Sequence, residues 1–323
     1  MKNRVRWIAL FLMLSCAREL EGFEKVATTS FQFLKVMTDA RSTSMGEAYC
    51  SVARGAESVF WNPAALARFG GTDLSISYVD WLLDTRQASI GFAHDLGNWG
   101  ALGFQAIMVD IGEIEVTRVD ALGFIGDTYN PGLTGETIHP SAFVLGGSYA
   151  RALTDKFTFG LTAKVVHENL ELESKTALAF DGGLTFDTGY RSLKLAAVIR
   201  HFGREIKYVD KSYPMPQTFT LGISGNLLSP SQFLLFPSED HRLLLSYDLS
   251  HPRDYDQQHH LGAEYSFREV IFLRAGYKFN YDEEGLTLGF GLKAGRLRFD
   301  YSYAQFGEYF HSVHRFSIGF QAR

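Results

Sequence analysis

Alternation of apolar side chains with polar or small ones dominates all but the first part of the sequence. It runs in segments about ten residues long, separated by Gly, Asn, Asp, Ser and Pro. In the segment 271–281, Leu273 and Tyr277 share one face, whereas Arg274 and Lys278 take the other. A period of two is that of a β-strand, whose successive side chains point to opposite sides. The sequence therefore predicts a succession of strands.

The length of these segments favours one kind of β-protein. A soluble β-sandwich also alternates, with its apolar face inside, but its strands are typically about 5 to 6 residues long. Crossing a bilayer at a tilt takes about 9 to 11 residues. Beyond the first residues there is no run of 18 or more apolar residues, which excludes an α-helical membrane protein. Only a closed barrel satisfies the backbone of strands in lipid. We therefore expect an all-β fold, a transmembrane antiparallel β-barrel.

The number of segments predicts about 14 strands and their orientation. The approximate bounds are 72–80, 86–95, 99–112, 141–152, 157–170, 175–189, 191–202, 215–228, 240–250, 258–268, 270–281, 285–295, 296–306 and 311–322. An even number places both ends of the barrel on one side of the membrane, where an exported barrel keeps its short turns. The long connections 113–140 and 203–214 fall on the outer side, although 229–239 is long on the inner side.

The composition argues against one class of partner. The chain is 46% hydrophobic and 14% aromatic, with a formal net charge of -5 and a pI near 6.1. A nucleic-acid-binding surface needs a basic field, which this charge balance does not supply. We expect no nucleic-acid partner.

The first residues predict export. A basic region is followed at 7–14 by an apolar run too short to span a bilayer. Cleavage after Ala17 gives three parts: a signal peptide at 1–17, an N-terminal segment with a hatch at 18–70, and a barrel at 71–323. The alternative is lipoprotein processing at Cys16, because the residues before it form an imperfect lipoprotein box.

The stretch 39–67 is rich in small residues and lacks strand alternation, which predicts two short helical pieces separated at Asn62-Pro63. Two motifs lie within it: Ala40-Arg41-x-x-x-Met45-Gly46-x-Ala48-Tyr49 and Ser58-x-x-x-Asn62-Pro63-Ala64-x-Leu66-Ala67. Together they resemble the N-terminal hatch of the PorV/PorQ family, which is related to FadL-type outer-membrane channels. Shorter motifs similar to that family's follow through the barrel, among them Arg200-His-Phe-Gly203 and Arg274-Ala-Gly-Tyr-Lys-Phe279.

The resemblance implies a hatch-plugged barrel in the cell outer membrane, placed there by the barrel-insertion machinery and surrounded by outer-membrane lipid. The residues predicted to form the hatch are Met45, Gly46, Asn62, Pro63 and Ala64, with Asn62 and Pro63 as its hinge. Two functions follow from the resemblance. One is FadL-like transport of a hydrophobic or amphipathic ligand past the hatch. The other is a scaffold of type IX secretion, on which 113–140 and 203–214, with Tyr208, Tyr213 and Met215, receive secreted cargo proteins.

Charged residues on the inward faces of consecutive strands are candidates for a polar lumen. They are Glu264, Arg274, Lys278, Lys293, Arg298 and Asp300. We expect them to pair across neighbouring strands and with Asp39, Arg41 and Glu47 of the hatch. Two interpretations stay open: a satisfied polar interior, or a path for ligand or gating.

No catalytic or metal site is predicted. The adjacent His259 and His260 fall on opposite strand faces, and His311 and His314 diverge by the same parity. After cleavage Cys50 is the remaining cysteine, which leaves no disulfide framework. The sequence has no Gly-x-Ser-x-Gly motif, and the glycines of 289–295 lack phosphate-loop spacing. We therefore expect no enzyme activity and no cofactor.

Overall fold

The computed structural model describes residues 28–171, 173–307 and 311–322. The predicted signal peptide at 1–17, including Cys16, lies outside them. Fourteen strands form the wall of a barrel. They are β1 Thr72–Asp80, β2 Arg86–Asp95, β3 Ala101–Asp110, β4 Ser141–Ala152, β5 Phe157–Asn169, β6 Ser174–Asp187, β7 Lys194–Gly203, β8 Thr218–Ser229, β9 His241–Pro252, β10 Gln258–Phe267, β11 Ile271–Phe279, β12 Glu284–Ala294, β13 Leu297–Phe306 and β14 Val313–Ala322.

Each strand pairs antiparallel with the next along the chain, and the ring closes between β14 and β1. At this closure Ile76 lies opposite Ile318, both in continuous nine-residue register with their strands. Closure leaves no open edge, so every strand of the wall pairs with a neighbour on both sides. The predicted antiparallel barrel of about 14 strands is confirmed.

The two faces of the wall differ as the alternation predicts. On β11, Leu273 and Tyr277 point outward and are exposed, whereas Arg274 and Lys278 point inward and are buried. The outer face repeats this apolar character around the ring, and the inner face is polar or small. Among the residues that the structure describes, no helix is both long and apolar enough to cross a membrane.

The two ends of the barrel carry different connections. The end at which β1 begins has several short turns, such as 268–270 and 295–296, and is called the turn end. The opposite end, called the loop end, carries the long connections 111–140 and 204–217. The first of these is mainly a hairpin of two strands, Ile114–Ile125 and Thr128–Ile138, called the outer hairpin.

Short helical pieces precede the barrel and fill its lumen. Residues 28–69 are called the plug, which contains the predicted hatch. Its helices are the four-residue α1 Ala40–Thr43 and α2 Ser58–Trp61, with 3-10 turns at Gln32–Lys35, Gly55–Glu57 and Pro63–Arg68. Asp39 caps α1 by accepting a hydrogen bond from the Ser42 backbone nitrogen at 2.8 Å. Asn62 ends α2, and its side chain accepts from Ala64 at the start of the next turn.

Candidate binding cavity

The plug crosses the lumen from the loop end to the turn end. Near its beginning, the Ser30 nitrogen donates to the Pro214 carbonyl at 2.8 Å, in a connection of the loop end. Lys35 forms an ion pair of 2.6 Å with Asp254 at the same end. The plug then descends to Gly71, beside the first residue of β1. The sequence-based hatch at 39–67 therefore omits the part of the plug nearest the loop end.

The turn end of the lumen is closed by apolar packing. The plug contributes Val59, Leu66 and Phe69, which pack against small wall residues. The wall residues of this cluster are Ala93, Ala101 and Ala150. Small wall residues let the plug approach closely, so this end leaves little room for solvent.

Glu264 of β10 links the plug to the wall. Arg41 of the plug donates to it through Nε and Nη2, both at 2.8 Å. Arg274 of β11 donates to the same carboxylate at 2.6 Å and to Asp300 of β13 at 2.7 Å. The lumen therefore places three of the predicted polar residues in one network, with a hatch residue that the sequence also indicated.

Glu57 of the plug extends this network and was not predicted. It is fully buried, pairs with Arg298 of β13, and accepts a hydrogen bond of 2.6 Å from the Tyr49 hydroxyl. Arg298 also pairs with Asp300 at 2.7 Å. Glu57 lies in a stretch of small residues without periodicity. The one signal that could have indicated it is that Glu57 is the single acidic residue between Ala48 and Ala67.

The remaining predicted charges have different environments. Lys278 of β11 is buried between Glu47 of the plug and Glu284 of β12 and pairs with both. Lys293 of β12 is half-buried, and in the described part of the chain no carboxylate pairs with it. The structure therefore brings five of the six predicted lumen charges into ionic contacts and leaves Lys293 apart.

Met45 and Gly46 lie where the plug touches the wall most closely. Met45 is fully buried, and a methyl group at Gly276 of β11 would lie 2.0 Å from the Gly46 nitrogen. That nitrogen donates to Thr287 at 2.9 Å, and the Gly46 carbonyl lies 2.7 Å from Nδ1 of His260. The close approach depends on glycine on both sides, because any side chain would displace backbone.

Asn62, Pro63 and Ala64 are buried and anchored to the wall. The Asn62 side chain donates to the Cys50 carbonyl at 3.1 Å and to the Leu184 carbonyl of β6 at 3.3 Å. A methyl group at Gly160 of β5 would lie 2.4 Å from the Ala64 nitrogen. The hinge role of Asn62 and Pro63 stays a prediction, and the geometry gives the same pair an anchoring contact.

Asp39 is a hatch acid whose pKa is raised by its surroundings. It was expected to pair with wall charges, but its Oδ2 accepts from the Trp61 indole at 2.7 Å and from the Ser42 hydroxyl at 2.6 Å. Burial raises the pKa of this carboxyl from 3.8 to about 6, and the charge of Glu57 acts in the same direction. Asp39 is therefore a group that titrates near neutral pH.

A cavity of about 390 Å³ lies in the lumen near the loop end. The plug forms part of its lining through Met37, Glu47, Cys50 and Trp61. Aromatic side chains of the loop end also line it, namely Trp81, Tyr255, Tyr281 and Phe306. Polar residues complete it, and they carry both signs of charge: Arg200, His201, Thr220, Ser250, His260 and Lys278, together with the carboxylates of Asp282, Glu283 and Glu284. Aromatic faces with a few polar groups are the usual lining of a small-molecule site.

The structure also places the adjacent histidines and Met215, which the sequence analysis considered. His259 faces outward beside the Tyr247 hydroxyl at 2.6 Å, whereas His260 faces the lumen, as strand parity predicts. Met215, expected on a cargo surface, is instead buried against Phe31 and Leu34 of the plug. It lies inside because the plug begins at the loop end, which the sequence pattern did not reveal.

Comparison with known proteins shows the fold. No protein-family model matches the chain, and no curated protein sequence matches it. The monoaromatic hydrocarbon channel CymD superposes with a TM-score of 0.59 at 14% identity, covering 88% of this chain and 98% of that one. The toluene transporter TodX of P. putida gives 0.58 at 13% identity, with the same coverage. A FadL homologue of Pseudomonas aeruginosa gives 0.54 at 12% identity, over 88% and 98%. At these identities the likeness concerns the fold alone: the chain has the fold of FadL-like barrels.

Proposed function

We propose that this chain is an outer-membrane channel that admits small hydrophobic or amphipathic molecules through its plugged lumen. The observation that carries the proposal is the aromatic-lined cavity of about 390 Å³ at the loop end, part of whose lining is the plug itself. A molecule entering from this end meets the plug before it can go further. Transport of this kind needs no bond-making step, and we assign none to the chain.

The apolar outer wall supports the membrane location. Strands 9 to 14 residues long, with large apolar side chains turned outward, match the thickness of a bilayer core when tilted. The partners implied are outer-membrane lipid and the barrel-insertion machinery. Recovery of the chain in the outer-membrane fraction, resistant to extraction by carbonate, is the expected result. Recovery in the soluble periplasm contradicts the location.

Passage requires the plug to move, since its apolar packing closes the turn end. A reversible lock tests this requirement. The hydroxyls of Thr43 in α1 and Ser302 in β13 lie 3.1 Å apart, so cysteines at both positions are within disulfide reach. The double variant Thr43→Cys/Ser302→Cys is made in a Cys50→Ala background, which removes the buried thiol of the plug.

The measurement is entry of the hydrophobic dye N-phenyl-1-naphthylamine into intact Gram-negative cells that express the chain. Dye entry above that of cells without the chain is expected from the background variant. The oxidised double variant should lose this entry, and reductant should restore it in the same cells. The singly substituted Thr43→Cys serves as the matched control. If cells that express the background variant take up no more dye than cells without the chain, the proposed transport is contradicted.

A second function, the scaffold of PorV/PorQ type in type IX secretion, is favoured by the outer hairpin. Its side chains Val119, Phe124 and Tyr129 are exposed, and a surface with aromatic residues suits protein recognition. Replacing 114–138 by a short Gly-Ser turn should then abolish recovery of secreted cargo with the purified barrel while leaving dye entry intact. Equal recovery of cargo without the hairpin contradicts this second function.

A further inference from the structure

Arg200 of β7 is a buried cation that lines the cavity. It is 7% exposed, and its guanidinium lies 5.1 Å from the ring centre of Trp61. Its Nη1 approaches the Met37 sulfur at 3.3 Å, while its buried Nε has no hydrogen-bond partner among the described residues. A thioether sulfur is a weak acceptor and does not balance a positive charge.

Three other lumen guanidiniums are compensated, whereas Arg315 of β14 is buried without a paired carboxylate among the described residues, donates to the Met37 carbonyl at 3.2 Å and does not line the cavity. Arg41, Arg274 and Arg298 each pair with one or more buried carboxylates. Within the described part of the chain, no carboxylate oxygen lies within 4.0 Å of Arg200. Asp248 of β9 faces the same lumen and interacts with Arg200 at longer range, but its Oδ2 accepts from the backbone nitrogens of Tyr49 and Cys50. Among the acids that line the cavity, Glu47 and Glu284 pair with Lys278. Asp282 accepts a hydrogen bond of 2.7 Å from the Tyr255 hydroxyl. An unpaired charge away from water is costly, so an anion entering the cavity gains a strong interaction there.

The surroundings of Arg200 also select the shape of the anion's apolar part. Trp61 lies beneath the guanidinium, and Trp81, Tyr281 and Phe306 line the same cavity. Rings of this kind pack favourably against another aromatic ring. A guanidinium binds a carboxylate through two parallel hydrogen bonds, which fixes the orientation of a planar acid.

We propose that the cavity binds a small aromatic carboxylate, with the carboxylate on Arg200 and the ring among the cavity's aromatic side chains. This rests on the proposed transport function and names the class of molecule that the channel takes. It makes Arg200 the residue that distinguishes an acid from a neutral molecule of the same shape.

The test is a binding titration of the purified full chain in detergent, followed by tryptophan fluorescence. Trp61 and Trp81 both line the cavity and report on its occupancy. The probes are 3-phenylpropanoate, its neutral amide and octanoate. The acid should bind at least about tenfold more tightly than the amide, as a charged hydrogen bond implies, and more tightly than octanoate. Equal binding of acid and amide in the wild-type chain overturns the proposal without any variant, and equal binding of octanoate overturns its aromatic part.

Substitutions assign the effect to Arg200. Arg200→Gln should reduce the preference for acid over amide to within about twofold, and Arg200→Lys should retain part of it because it keeps the charge. Arg204→Gln, which removes an exposed cation just beyond β7, is the matched control and should keep the full preference. If Arg200→Gln retains the full preference, Arg200 does not bind the anion and the proposal is overturned.

The outcome is separable from that of the transport function. Entry of the neutral dye into cells does not depend on Arg200. If the dye enters but the acid is not preferred, transport stands and the anion site fails. If the acid is preferred but neither dye nor acid enters cells, the site stands and transport fails.

Discussion

Arg41 of the plug and Glu264 of the wall are joined by two parallel hydrogen bonds, each 2.8 Å long. The same carboxylate also accepts from Arg274, so one acid balances a cation from the plug and a cation from the wall. The pair therefore couples the position of the plug to the electrostatics of the wall. Loss of this carboxylate affects both partners at once.

Glu264→Gln should destabilise the docked plug by about 3 to 5 kcal/mol, because it leaves two buried guanidiniums short of charge compensation. The measurement is the rate at which protease cleaves the plug in the detergent-solubilised chain. Glu269→Gln is the matched control. Glu269 pairs with Arg242 at 3.1 Å on the exposed surface, where such a pair contributes about 0 to 1 kcal/mol. Equal protease sensitivity of the two variants contradicts the prediction.

Packing of the plug should depend on pH through Asp39. Its pKa is about 6 in the folded chain and 3.8 in the reference state, so protonation favours the folded plug. The stabilisation is fully present below pH 4 and is lost as pH rises through 6, with a total of about 3 kcal/mol. Asp39→Asn should remove this dependence between pH 5 and 7. The fluorescence of Trp61, whose indole donates to Asp39, is the measurement. If the fluorescence of Asp39→Asn changes with pH as that of the wild type does, a group other than Asp39 causes the change.

Gly160→Ala should displace the turn Pro63–Arg68 from the wall. The added methyl group would lie 2.4 Å from the Ala64 nitrogen, and overpacking of this kind costs about 1 to 3 kcal/mol. Gly147→Ala, on the neighbouring β4, is the control, since nothing lies within 4 Å of its added methyl group. The midpoint temperature of thermal unfolding should fall for Gly160→Ala and stay unchanged for Gly147→Ala. If the midpoint temperature falls equally for Gly147→Ala, the loss of stability comes from replacing a strand glycine and not from contact with the plug.

The variant Asn62→Ala distinguishes a hinge role of Asn62 from an anchoring role. The side chain caps the turn Pro63–Arg68 and reaches the Leu184 carbonyl, so its loss should weaken docking by about 1 kcal/mol. An anchor predicts faster dye entry for Asn62→Ala than for wild type. Slower entry, with protease resistance unchanged, favours the hinge.

The strands were predictable because lipid-facing and lumen-facing side chains must alternate on a one-layer wall. The segment 258–268 matches Gln258–Phe267 almost residue for residue, and 99–112 exceeds Ala101–Asp110 by two at each end. The strands of the outer hairpin are not predictable in this way, because the pairing between them shifts register twice and their sequence carries no sustained alternation.

Pairing inside the lumen was predictable only in outline. Inward charges follow from strand parity, as Glu264 and Arg274 show, but the partner of each depends on where the plug lies. A plug without periodicity gives no such information. Glu57 and the contact of Phe31 with Met215 therefore emerged from the structure.

The plug precedes the first strand, yet it is held by strands from the far end of the chain. Arg41 reaches its partner Glu264 across 223 positions, and Thr43 reaches Ser302 across 259. Contacts so distant in sequence form slowly, because a large loop must close before any of them contributes. The plug therefore cannot complete its packing before the last strands of the wall are in place.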